Sequence, residues 1–546
     1  MKRKLKFSTL LLGVLTGCFS FSGFDVVQSS DNNYRNIIEL NYLKDSDFEE
    51  KSNNWFGNKG KIVEGISYDN GNYSGSIIAG TNSGFIGQNV LVKKNTDYTL
   101  SAYVKSDYND SYGFLSVREG GDGSGKLIKD IKVLSAEGNW KKVELKFNSG
   151  DNEKVLLQYV KWIKTNDPNY NDLVNSTLYV DNVNLIESSF SVDKYTEVWS
   201  DNFNGDVLES ANWRYELGHI RGTEEQEYVN SKENVFVKDG NLYLRATKKD
   251  VPKTIIKGNG EKRVLKYDSG SIETFGRKEA LYGRIEMRAK LPSGAGAFPA
   301  FWTLGSDFNH DGLIQEGTNW PNCGEIDIME LIGKNQNQPG TSDNIVYGTL
   351  HYGTNDNDGY KKQGGSYDLG KRFSDDYHIF GINWTKDFIE WYVDGYVYNR
   401  IDIRDNEYFN KPHYIKLNLA VGGSWPGYAD ETTTFPMDYV IDYVKYYQTE
   451  EQMKEQAEYE KNSPKIDLSN DTYTISKGDS IPDLLSGVVA KDTEGNDLEV
   501  KYSIEDGEKR WNEAELNKPG KYSIVYTAKD KNNRYARAFA TLIIND

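Results

Sequence analysis

The chain has 546 residues, with 65 basic against 82 acidic side chains, a formal charge of -17, and only 2 Cys. At roughly 100 to 200 residues per domain this length predicts about three domains, each able to hold a core without disulfides, and two cysteines exclude a disulfide scaffold. The acidic balance excludes a nucleic-acid partner, while 38 Tyr, 11 Trp and 51 Gly exclude a disordered chain and suit strand-and-turn proteins whose surfaces meet flat, hydroxyl-rich ligands.

Residues 1–17 join a basic start (Lys2, Arg3, Lys4) to an apolar stretch from Leu10 to Leu15. The stretch is too short to span a bilayer and predicts a secretory signal. Leu15-Thr16-Gly17-Cys18 resembles the bacterial lipobox. That resemblance implies lipidation of Cys18 and a secreted chain anchored at the cell surface, with the lipid as its one membrane contact; the alternative is an ordinary signal peptide removed together with Cys18. Residues 18–35, rich in Ser, Asn and Asp, read as a tether.

From 36 to 188 the sequence runs in short alternating segments, such as YTLSAYV at 98–104, KVELKF at 142–147 and LYVDNV at 178–183. Period-two alternation broken by Gly, Asn and Asp predicts an antiparallel β-sandwich. Asp47-Phe48-Glu49, GQNV at 87–90, YTLSAYVK at 98–105 and YVDNVNL at 179–185 resemble carbohydrate-binding modules of the family 4 and 9 type. The resemblance implies a structural calcium held by Asp181, with a turn position as the equal alternative. Trp162 and Tyr159 are candidates for a sugar platform; Trp55 and Trp140 sit in core-like patterns.

Residues 195–448 hold 7 of the 11 Trp and again read as strands. The informative segment is WPNCGEIDIME at 320–330. On a strand Glu325 and Asp327 share one face while Ile326 and Ile328 pack on the other. Glu330 has the wrong parity, which a one-residue β-bulge near Ile328 or Met329 corrects. Three acids with no basic partner beside them repel one another, so catalysis explains them better than a solvated strand face does. With the bulge the two glutamates stand like positions four apart, about 13 Å between Cα atoms. Their side chains can close that to the roughly 5 to 5.5 Å of double-displacement glycoside hydrolysis.

This segment resembles the active-site strand of glycoside hydrolase family 16 in its bulged, laminarinase-like form. VWSDNFNG at 198–205, Asn212-Trp213, YGRIEMR at 282–288, FPAFWTLG at 298–305, GTLHYG at 348–353, WYVDG at 391–395, LNLAVGGSWPG at 417–427 and IDYVKY at 441–446 follow the family pattern in order. The resemblance implies an all-β fold, a central jelly roll flanked by two smaller sandwiches, with Glu325 as nucleophile, Glu330 as acid/base and Asp327 as the supporting carboxylate. It further implies that Trp302, Trp320, Trp425 and Trp213 meet sugar, that Arg284 and His351 donate hydrogen bonds, and that Glu224 and Gln226 line the site. A structural calcium, not a catalytic cofactor, is implied at Asn202, Gly240 and Asp442. Trp199, Trp384 and Trp391 read as core, and Cys323 as a packed, unpaired thiol.

Residues 449–464 are charged and helix-favouring up to Pro464, which predicts a short helical linker. Residues 465–546 alternate again and resemble bacterial immunoglobulin-like modules. The leading expectation is a monomeric, retaining endo-hydrolase of β-1,3-glucan in laminarin-like or mixed-linkage polymers. The alternatives are a hydrolase of another neutral polysaccharide such as agar, or a non-catalytic glucan-binding surface protein.

Overall fold

The computed structural model describes residues 37–546 apart from positions 39, 432, 512 and 533 and the stretches 135–137, 189–193, 258–259, 309–318, 334–341, 355–358, 506–509 and 514–515. The signal, Cys18 and the tether therefore lie outside the described residues. Among the described residues no helix is long and apolar enough to cross a membrane.

The N-terminal module is a sandwich of two antiparallel sheets. One runs Gly60–Glu64, Tyr73–Ile77, Leu178–Glu187, Asp97–Ser106, Lys141–Asn148; the other runs Ser83–Leu91, Lys154–Trp162, Tyr112–Glu119, Leu127–Leu134. In Lys154–Trp162 both faces are covered from Val155 to Tyr159, and Tyr159 is 2% exposed, while Trp162 at the strand's end is 59% exposed. Tyr159 is therefore core and not half of a platform, because it has the opposite parity to Trp162.

The central module is built from two larger sheets. The first places Asn241–Ile256, Met437–Thr449, Gly283–Lys290, His378–Trp384, Phe388–Val393 and Tyr396–Asp402 side by side. The second runs Arg214–Tyr215, Ser271–Glu273, His413–Val421, Ala297–Gly305, Glu325–Leu331, Ile345–Tyr352, Lys361–Asp368. Between them lies one core, including Ile285, Met287, Phe301, Ile326, Ile328, Met329, Trp384 and Trp391. Burying each of these large side chains contributes about 1.5 to 3 kcal/mol, which lets the second sheet carry charged residues on its outer face.

Helix Glu450–Lys461 follows, closed at its start by a capping box in which the Thr449 hydroxyl accepts from Gln452 N and the Gln452 side chain accepts from Thr449 N. The C-terminal module pairs Lys465–Leu468 with Val488–Lys491 against a second sheet, Thr472–Ser476, Tyr535–Asn545, Gly520–Lys529, Val500–Glu505, Arg510–Trp511. All three modules are β-sandwiches.

Candidate active site

Strand Glu325–Leu331 forms because its inward residues are apolar and its neighbours hold it in register on both sides. Glu325 faces Leu304 and His351, Asp327 faces Trp302 and Thr349, and Glu330 faces Ala300 and Tyr347. The register slips between Asp327 and Glu330 on both sides, and Ile328 and Met329 are both buried in the core. Two successive inward residues mark the bulge. It returns Glu330 to the outer face with Glu325 and Asp327. The indole of buried Trp391 donates to the Asp327 carbonyl at 2.8 Å, fixing the backbone at the middle of the trio.

Around the acids, Trp320 Nε1 donates to Glu325 Oε2 at 3.0 Å. His351 Nε2 lies 3.1 Å from Asp327 Oδ2 and 3.8 Å from Glu325 Oε1, and its Nδ1 is 2.5 Å from the Tyr360 hydroxyl. Trp320, His351 and Tyr360 form a mutual ring cluster, leaving Trp320 39% exposed beside Glu325. Trp425 stands on the other side, edge to Phe298 and to Tyr347, the cross-strand partner of Glu330. Trp302 lies flush in the sheet at 7% exposure, its indole donating to Asn418 at 2.7 Å.

Burial, then the negative charge of Asp327, raises both glutamate carboxyls well above the ordinary range. Their other neighbours differ. Glu325 has the cations Arg221 and Lys416 and the Trp320 donor on its side. Glu330 has the further anions Glu325 and Glu224, opposed by Lys362. The neighbours of Glu325 thus favour its ionised form more than those of Glu330 do.

Glu224 and Gln226 belong to this neighbourhood. Gln226 donates to Glu224 Oε2 and accepts from Val421 N at 2.8 Å. Two expected sugar contacts do not. Arg284 is on the opposite sheet, fully buried on its outer face against Tyr392 and Tyr195, because in strand Gly283–Lys290 the inward residues are Ile285 and Met287. Trp213 is 1% exposed within the core and donates to Asp201 at 2.9 Å. In each the motif is present, but its side chain serves packing.

Asp442 accepts from Arg288 Nη1 at 2.8 Å through Oδ2; a calcium there would be held by Asp442 with main-chain oxygens near Asn202 and Gly240. Asp181 is buried with its oxygens accepting from Tyr68 N and Asn182 N at 2.7 Å. Burial pushes its carboxyl up to about 6. A calcium site gathers six to eight oxygens. Among the described residues, the one trio with its donor atoms mutually within 4.8 Å is Glu325, Asp327 and His351.

Tyr360, Arg221, Lys416, Glu216 and Glu273 are site residues that the motifs did not supply. Lys416 and Asn418 could have been found by parity: polar positions alternating with Ile415, Leu417 and Leu419 repeat the pattern of the acidic strand.

A two-sheet β-jelly roll with paired carboxyls and indoles on one outer face defines the glycoside hydrolase class. The family model for glycosyl hydrolases family 16 matches residues 222–445, and that for a carbohydrate binding domain matches residues 40–167. Over 264 residues the chain is 33% identical to a beta-glucanase of Rhodothermus marinus, spanning 46% of this chain and 84% of that one. The chain belongs to glycoside hydrolase family 16. It is also 34% identical over 279 residues to glucan endo-1,3-beta-glucosidase A1 of Niallia circulans, across 46% of this chain but only 37% of that protein's length. A solved laminarinase catalytic domain of Thermotoga petrophila is 36% identical, covers 47% of this chain and 98% of that one, and superposes with a TM-score of 0.40.

Proposed function

We propose that the chain hydrolyses internal β-1,3-glucosidic bonds of laminarin-like or mixed-linkage β-glucans with retention of configuration. The carrying observation is the bulged strand, which sets Glu325 and Glu330 on one face in unlike electrostatic surroundings. Glu330, protonated, gives its proton to the glycosidic oxygen as that bond to the anomeric carbon breaks. Glu325, ionised, attacks the same carbon and forms a glycosyl-enzyme ester. Glu330, now a carboxylate, takes a proton from water as the water oxygen attacks that carbon and releases Glu325. Asp327, beside His351, keeps negative charge next to Glu330 and so favours its protonated form. Trp320 and Trp425 offer indole faces to the sugars on either side, and the site's own acids suit an uncharged polymer.

The N-terminal module supports the same substrate class: Trp162, 59% exposed, shares one face of a sheet with Phe85 and Phe114. The LTGC sequence supports lipidation at Cys18 and an enzyme held at a bacterial surface. The strand pattern after 465 supports an immunoglobulin-like module.

Glu325→Gln should abolish release of reducing sugar from laminarin while glucan still binds, and Glu330→Gln should cut the rate by at least about 10²-fold. NMR of the first product should show the β-anomer. An α-anomer released first, or full activity in the Glu325 variant, would sink the reading.

A further inference from the structure

The face that carries Trp302 is continued, strand by strand, by a row of buried charges. Glu273 faces Lys416, Lys416 faces Trp302, and Trp302 faces Asp327, so the four lie in one line across the sheet. Lys416 holds Glu273 on one side and Glu216 Oε1 at 2.8 Å on the other. Glu216 in turn takes both bonds of Arg221 Nη1, at 2.8 and 2.9 Å, and a bond from Ser271 Oγ at 2.7 Å. Lys416 Nζ and Arg221 Cζ each stand 5.1 Å from the Trp302 ring centre. At the outer end Arg214 Nε donates to Glu273 Oε1 at 2.7 Å, while its Nη1 donates to Glu505 Oε2, also at 2.7 Å. Glu505 ends strand Val500–Glu505 of the C-terminal module.

The row draws counter-charge from both modules. Arg214, Arg221 and Lys416 bond Glu216 and Glu273 of the central module, and Glu325 lies beside Arg221 and Lys416. The neighbouring Glu224 bonds Gln226, and burial raises its carboxyl, so it is a poor counter-ion. Glu273 is fully buried, Lys416 is 1% exposed and Glu216 is 5% exposed, and an excess charge in such a site is costly unless it is paired. Glu505 adds an anion from the C-terminal module, bonded directly to Arg214. The dock that brings it there has independent contacts: Arg537 Nη1 donates to the Ser306 carbonyl at 2.7 Å and stacks on Phe275. Phe539 fills the space beside Gly276, where a Cβ would come within 2.3 Å of its ring.

We propose that Glu505 is a positioning residue for the glucan site: it completes the counter-charge of Arg214 and thereby holds Lys416 and Arg221 in place around Trp302. The C-terminal module is on this account a working part of the sugar-binding face. The proposal rests on the glucan reading for its kinetic consequence, but not for its structural one.

The test uses the full chain carrying Glu505→Gln, with Glu505→Asp as rescue. Glu494→Gln is the control, because it breaks an exposed pair with Lys531 in the same module. Hydrogen exchange of segment 214–226 should accelerate by about tenfold in Glu505→Gln, and KM for laminarin should rise by about fivefold with kcat within about twofold. Glu505→Asp should recover most of both, and Glu494→Gln should match the parent. Exchange over Gly520–Asn545 reports whether the C-terminal module stays folded. If Glu505→Gln unfolds it, Arg214→Lys, which keeps the charge but loses the fork to two carboxylates, is read in the same way. Parent-like exchange over 214–226, or a parent-like KM on a glucan the parent cleaves, overturns the proposal. A parent that cleaves no β-glucan would instead sink the glucan reading, and exchange alone would then decide the role of Glu505.

Discussion

Glu325 and Glu330 carry the same side chain on the same strand, and their neighbours alone make them chemically unlike. Cations and an indole N–H attend Glu325, whereas anions attend Glu330. Both carboxyls titrate above the ordinary glutamate value near 4.3, so the acid limb of kcat/KM should lie above that value. A stability effect follows, with a definite sign. The folded-state pKa of Glu330 is raised, so its contribution to stability is fully present below the unfolded pKa and is lost as pH rises through the folded one. Glu330→Gln removes that loss. The inactive variant should therefore melt higher than the parent at pH 7, by about 2 to 4 °C for each kcal/mol of repulsion relieved, and close to the parent at pH 3. Melting curves at the two pH values check this; a variant no more stable at pH 7 would show that the repulsion is not there.

At the level of strands, parity decides which side chains reach the site. The bulge was legible because EIDIME can put all three acids outward only with one extra residue, and the register slip at Ile328 and Met329 supplies it. Deleting Ile328 leaves Glu330 an even two positions from Asp327, still on the outer face. That variant should keep measurable hydrolysis of laminarin, more than Glu330→Gln retains, and a loss as deep as in the glutamine variant would contradict the parity argument. The same arithmetic could have placed Tyr159 in the core and Lys416 on the site face. Parity could not have placed Arg284 or Trp213. Strand Gly283–Lys290 alternates as cleanly as the acidic strand, and nothing local records which of the two sheets it joins. Arg214 and Glu505 lie 291 residues apart, and no local pattern in either segment announces that pairing.

The whole molecule is held together by buried charge as well as by apolar packing. Where the N-terminal module meets the central one, Lys93 Nζ lies 2.5 Å from Glu187 and 3.3 Å from Glu390. Arg400 donates to Glu390 at 2.9 Å, and Tyr42 donates to both acids. Asn41 N donates to the Gly395 carbonyl and Val397 N to the Asn41 carbonyl, so backbone bonds cross the junction too. Burial opposes the charge on Glu390, but Lys93 and Arg400 outweigh it and hold the carboxyl at about 2. Its stabilising effect is thus complete above the ordinary glutamate pKa and fades as pH falls towards 2. Lys93→Met, which leaves the acids short of a cation, should cost about 3 kcal/mol, measurable as a lowered denaturant midpoint at pH 7. An unchanged midpoint would mean that the junction does not depend on this pair.

The backbone bonds at Asn41 also bear on how the enzyme meets a polymer. A module on a flexible linker searches a volume, and its help declines smoothly with linker length. Here backbone bonds join the two modules directly, so on the proposed reading a glucan held at Trp162 and cleaved at Glu325 meets two modules at a set spacing. Avidity then becomes a ruler: a glucan gains from both faces only when its contour spans the set gap, and oligosaccharides shorter than that gain nothing from the second face.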